Sequence, residues 1–267
     1  MSSTLLAKVS QAELDRLQQS IAGAAEHVSV PENLNAVIYR ERMQSYLLEG
    51  MRRAQLQGLG RTRLRQAVTD LVYEAQTHFL PDTMFLAYQV DWQTKFQGLF
   101  AQYEQDRVDF GQLRSAARHM LAQGYRTSFQ LGKTFPGTQQ LPDLTAADTG
   151  RISIELNAEY GFLDGLLEEA RRRHEVTDTP FGLYIANRAR LYAEALRSLF
   201  YYGQLAQHAS TDPVWWVLVE LADHCSVCPE LAAGSPYTVA TLPTVPSRGD
   251  TPCLGNCKCF LDFDSKE

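Results

Sequence analysis

All five cysteines of the chain stand between Cys225 and Cys259, in the order C-x2-C, a gap of 24 residues, then C-x3-C-x-C. Thiolates in pairs are what a tetrahedral zinc ion takes, two from one turn and two from another. Cys225 and Cys228 make the first pair. Cys253 and Cys257 make the second, with Gly255 and Asn256 between them as turn-forming residues. Cys259 can replace either member of that second pair, or stand as a buried thiol beside Leu261. His224, next to Cys225, is a candidate to hydrogen-bond a ligand rather than to bind metal. Four thiolates close the coordination sphere, so the expected Zn2+ is structural and leaves no open position for water.

Two other chemistries compete for these sulfurs. Disulfides suit an oxidising compartment. The N-terminal MSSTLLAKVSQAELDRLQQ lacks a long apolar stretch, and five is an odd number of cysteines to pair. A redox C-x-x-C usually opens a helix in a βαβ setting, and no such alternation surrounds Cys225.

The elements that must position the cysteines are of two kinds. Residues 1–210 read as a multi-helix body. Ser10 with Glu13 forms a capping box, and Pro31 suits a first helical turn. A helix follows Gly58 and Gly60 and stops near Pro81. Phe85, Tyr88, Trp92, Phe96 and Phe100 recur at helical spacing and predict a packed face. Asp109 is a candidate N-cap, and Pro136, Gly137, Pro142 and Gly150 mark a breaker zone. Helix resumes from Arg151, pauses at TDTPFG, and returns with Leu191, Ala195 and Leu199 on one stripe.

Residues 211–267 are different. VWWVLVEL has the length and composition of a strand, and KCFLDF puts Cys257, Cys259, Leu261 and Phe263 on one face by period two. Between them Gly, Pro, Ser and Thr are frequent and no helical period is evident. The expected fold is therefore mainly α, with a small C-terminal β module of zinc-ribbon type. Such a module has too few large apolar residues to hold itself together by burial alone. A structural zinc can contribute on the order of 10 kcal/mol of apparent folding free energy.

This tail resembles the C-terminal segment of the Mu F-like head morphogenesis proteins, minor head proteins of tailed bacteriophages. The likeness lies in WWVLVELADHCSVCPELAAG and LPTVPSRGDTPCLGNCKCFLDF, and more loosely in NRARLYAEALRSLFYYGQLA. The family pattern runs from a strand to C-x2-C, through proline-rich text, to NC(R/K)C closing on another strand. Many members carry a histidine three residues before the first cysteine of that closing motif. Leu254 holds that slot here, and Cys253 stands one place earlier. The resemblance implies a minor capsid protein of the virion. It would be assembled in the host cytoplasm, near portal or capsid proteins or copies of itself.

Charge agrees with a protein partner. The chain carries a net -6, and residues 211–267 hold eight Asp/Glu against three Lys/Arg. That excess suits a basic protein better than DNA. A nucleic-acid-binding zinc ribbon would need exposed bases and aromatics, and only Arg248, Lys258 and Lys266 are present there. Arg52-Arg53, Arg61/Arg63/Arg65 and Arg171-Arg172-Arg173 read as solvated helix faces. No run of about 18 apolar residues predicts a membrane span. No H-E-x-x-H, G-x-S-x-G or phosphate-loop motif is found, so the expectation is a protein without enzymatic activity, the alternative being an unrecognised enzyme. The tripeptide Arg248-Gly249-Asp250 reads as chance.

Overall fold

A computed structural model describes residues 80–134, 140–177, 179–218 and 222–263. The expected caps at Ser10 and Pro31, the Gly58/Gly60 break and the arginine clusters at 52–65 lie outside the described residues. Two compact units are distinguished, Met1–Leu86 with Phe135–Thr138, and Ala87–Thr134 with Gln139–Glu267. The architecture below is that of the second.

It is mainly helical with a small C-terminal sheet. Helix α1 (Leu80–Glu104) carries the aromatic stripe, and its Trp92, Phe96 and Phe100 are fully buried. Trp92 stacks on Phe96 at 4.7 Å, and Phe96 meets Phe100 edge-on at 5.3 Å. Helix α2 (Phe110–Gly132) opens with Asp109 as N-cap, its side chain accepting from the Gln112 N–H while Gln112 accepts from the Asp109 N–H.

Helix α3 (Ala146–Arg171) begins five residues earlier than Arg151, where the sequence pattern resumes. Thr145 and Asp148 form a reciprocal capping box, which outweighs the helix-weakening Gly150. One π turn (Arg172–Val176) ends it. There Arg172 and Arg173 pair with Glu169, and Arg171 pairs with Glu168, as on a solvated face.

Helix α4 (Gly182–Leu205) is the centre of the unit and packs chiefly on α2. Gly132 and Gly203 allow the crossing. A Cβ on Gly132 would run into the Phe200 carbonyl, and one on Gly203 into the Phe129 carbonyl. Helix α1 joins the same core, with Gln89 Nε2 donating to the Ala193 carbonyl at 2.7 Å and Trp92 Nε1 to the Met120 carbonyl at 3.1 Å. Leu199 is buried, but Leu191 and Ala195 are only half-buried. The deeper stripe is Ile185, Ala189, Tyr192, Leu196 and Phe200.

After α4 the chain forms an antiparallel sheet in the order β2-β1-β3. Strand β1 (Pro213–Val217) alternates as period two requires, burying Val214 and Trp216. It pairs with β2 (Tyr237–Thr238) through Val214↔Tyr237, and with β3 (Phe260–Asp262) through Trp216↔Leu261. A short helix α5 (Val227–Ala233), which the sequence reading lacked, lies between β1 and β2. At seven residues it is too short to display a period. Tertiary bonds hold it in place: the Trp216 N–H donates to Ser235 Oγ at 2.8 Å, and Tyr237 OH to the Leu231 carbonyl at 3.0 Å.

The change of character at residue 211 falls within this unit, and the module sits against helices. The 3-10 turn Leu254–Asn256 lies on α4, where a Cβ on Gly255 would stand 3.3 Å from the Leu191 carbonyl. That contact explains why the Leu191/Ala195 edge of α4 is half-covered. Arg190 donates to Asn256 at 2.7 Å, Lys258 pairs with Glu194 at 3.3 Å, and Arg248 reaches Glu155 on α3 at 3.3 Å.

Candidate metal centre

Three segments bring the sulfurs together. Cys225 precedes α5 and Cys228 lies in its first turn. Cys253 and Cys257 flank the 3-10 turn, and Cys259 leads into β3. The first pair thus comes from a helix start rather than from a bare knuckle turn. Cys228, Cys257 and Cys259 are fully buried, while Cys225 and Cys253 are half-buried.

Cys228 is the hub. Its Sγ lies 3.3 Å from Cys225, 3.9 Å from Cys253 and 3.9 Å from Cys257. A tetrahedral ion with bonds of about 2.3 Å to sulfur separates its ligands by about 3.8 Å. The cluster therefore has the spacing a metal site needs. The 3.3 Å approach is far outside the ~2.05 Å of a disulfide bond, and all five cysteines are thiols.

The ligand atoms form two groups able to hold an ion, Cys225/Cys228/Cys253 and Cys228/Cys257/Cys259. Of the four expected ligands, Cys225, Cys228 and Cys253 share one group, while Cys257 falls in the other, with Cys228 and Cys259. His224 Nδ1 lies 3.7 Å from Cys259 Sγ.

The surroundings divide the thiols electrostatically. Hydrogen bonding with Cys259, against the opposing effect of burial, brings the Cys257 thiol down to about 5, aided by the N–H groups of Cys259 and Ser247. Burial raises Cys225, but contact with Cys228 and the N–H groups of Cys228 and Val227 outweigh it and bring that thiol down to about 7. Burial raises Cys253 to about 11. Burial, and the contact with Cys225, raise Cys228. Hydrogen bonding with Cys257, then burial, raise Cys259. Cys257 and Cys225 are thus the two sulfurs that ionise most readily, and the thiolate is the form that binds metal.

Residues that the spacing did not point to hold the ligands in place. Thr251 Oγ1 contacts Cys253 Sγ at 3.1 Å, Ser247 Oγ donates to the Cys257 carbonyl at 3.4 Å, and Arg197 Nη1 donates to the same carbonyl at 3.4 Å. No short sequence pattern marks Arg197, because it lies 60 residues from Cys257.

The RGD tripeptide is turned on itself. Arg248 Nη1 bonds Asp250 at 2.7 Å, around Gly249 at a φ of +100°. No described helix is long and apolar enough to cross a membrane. Comparison with protein-family models, with curated proteins and with solved structures finds no match for this chain.

Proposed function

We propose that the cysteine cluster is a structural zinc centre and that the chain is a non-enzymatic structural component of a tailed-phage particle. In this reading it is a minor capsid or head-morphogenesis protein, assembled in the host cytoplasm and carried in the virion near portal or capsid. The observation that carries it is the convergence of five thiols within the segment that resembles the phage head proteins. The same segment docks on a helical body, the arrangement that the resemblance implies.

The zinc centre acts as a staple. It joins the start of α5, the 3-10 turn and the entry to β3, which have little apolar surface of their own. The completed module is a rigid, acidic knob suited to a basic protein surface. The nucleic-acid-binding reading gains no support, since Arg248 and Lys258 are engaged with Glu155, Asp250 and Glu194.

The test is to purify phage particles and assembling heads by density and look for this protein by mass spectrometry. Its presence at a reproducible copy number supports the structural role. Its absence from both overturns that role.

A further inference from the structure

Cys228 Sγ approaches Cys225 at 3.3 Å, closer than Cys253 or Cys257, each at 3.9 Å. A tetrahedral ion sets its sulfurs about 3.8 Å apart, so this one pair stands closer than metal binding requires. Its members are three residues apart at the entry to α5, and the start of that helix turns both side chains to one side. The absent βαβ alternation set a redox pair aside on sequence, and α5 is the element that the sequence did not show.

The two sulfurs differ in access. Cys225 is half-buried beside the exposed Ser226, while Cys228 is 1% exposed. A reagent from solvent meets Cys225 first, with Cys228 directly behind it. Cys228 also belongs to both trios of ligand atoms. Among the described residues, a bond that consumes Cys228 leaves no trio able to hold an ion.

We propose that Cys225 and Cys228 are the site of a reversible disulfide that excludes the metal. The reduced centre is a metal staple, and the oxidised centre is a local disulfide with no ion. This rests on the reading of the cluster as a metal centre and gives that centre a second state.

The oxidant is a small-molecule disulfide. The Cys225 thiolate attacks one of its sulfurs, the S–S bond breaks, and one thiolate leaves. Cys228 then attacks Cys225 Sγ in the mixed disulfide, and the second thiolate leaves. One disulfide forms as another is reduced to two thiols. The two leaving thiolates take protons from the cysteine thiols in the metal-free chain, or from solvent where the ion held both sulfurs as thiolates. The ion departs with its charge unchanged. Closing 3.3 Å to the ~2.05 Å of the bond joins residues of one short segment, so no other segment has to move.

The full chain is reduced, and metal-free and zinc-loaded samples are titrated with oxidised glutathione without oxygen. Intact mass, disulfide mapping and a zinc indicator are read together. The metal-free chain is expected to lose two hydrogens and to map as Cys225–Cys228. The zinc-loaded chain should release one zinc for each such disulfide, and dithiothreitol should restore both thiols and zinc uptake. Cys228→Ser should instead trap one glutathione on Cys225. Linkage mainly through another pair, zinc retained by the disulfide-bonded chain, or a glutathione trapped elsewhere overturns the proposal and leaves the metal centre standing. A reduced chain that takes up no zinc overturns the metal reading and the exchange with it, whichever pair is linked.

Discussion

Arg197 and Cys257 meet in the interior, where the Arg197 guanidinium on α4 donates to the Cys257 carbonyl at 3.4 Å and both residues are buried. A helix of the body is thereby bonded to the backbone of a candidate metal ligand. Glu194, 3.9 Å from Arg197 and 3.3 Å from Lys258, extends the link. The cluster and α4 should consequently respond to each other.

Arg197→Met tests that coupling. Removing the buried guanidinium leaves the Cys257 carbonyl short of a donor and Glu194 without a neighbouring positive charge, at a cost of about 2–4 kcal/mol. The expected result is a lower melting temperature and faster zinc loss to a chelator. After metal removal, the difference in melting temperature from the unaltered chain should shrink. An undiminished difference would show that Arg197 serves the helices alone.

Cys228→Ser removes the hub sulfur, which contacts Cys225, Cys253 and Cys257. Bound metal is expected to fall to a small fraction of the normal content. Protease sensitivity should rise between residues 211 and 263, while far-ultraviolet circular dichroism keeps most of its helical signal. Metal content unchanged in this variant would remove the cluster from consideration as a metal site.

Acid should release the metal. Protons compete for thiolates, so affinity falls as pH falls. The two depressed thiols, Cys225 near 7 and Cys257 near 5, protonate last among the five as the solution is acidified. Zinc is expected to stay bound at pH 7.5 and to be lost as pH approaches about 5. A colorimetric zinc indicator followed across this range measures it. Metal content that does not fall with acidification would contradict the thiolate assignment.

Two glycines separate packing from propensity. Gly203 lies where α4 crosses α2, and a Cβ there would run into the Phe129 carbonyl. Gly203→Ala should cost about 1–3 kcal/mol through overpacking. Gly165 on α3 has nothing within 4 Å of an added Cβ. Gly165→Ala should stabilise by about 0.5–1 kcal/mol, since alanine favours the helix. Chemical denaturation of both variants provides the comparison.

Glu159 on α3 offers a pH-dependent test away from the metal. Burial, with Glu155 as a like charge, raises its pKa although Tyr125 and Arg188 oppose the shift. A carboxyl raised in the folded state favours folding when protonated, so its contribution is present at low pH and lost as pH rises. Glu159→Gln should therefore be more stable than the unaltered chain at neutral pH, and the gain should disappear on acidification. A gain that persists at pH 3 would assign the effect to packing.

Local chemistry was legible in the residues themselves. The aromatic spacing in α1, the Asp109 cap, the β-branched and aromatic composition of β1 and the shared face of Cys257, Cys259 and Leu261 depend only on residue type, on helical or strand period and on neighbouring side chains. The paired spacing of Cys225, Cys228, Cys253 and Cys257 likewise pointed to cysteines that could hold a metal ion. The start of α3 was misjudged because the Thr145/Asp148 capping box outweighed Gly150, a balance between two local effects.

The rest needed the tertiary structure. Helix α5 is too short for a period and is held by Ser235 and Tyr237 contacts that close only when β1 and β2 pair. That Cys228 should be the hub, that Cys259 should lie beside His224, and that α4 should be covered on a second edge by the Cys253–Cys257 turn all depend on long-range approach. Spacing along a chain limits which residues can share a turn. Only packing decides which turns share a core.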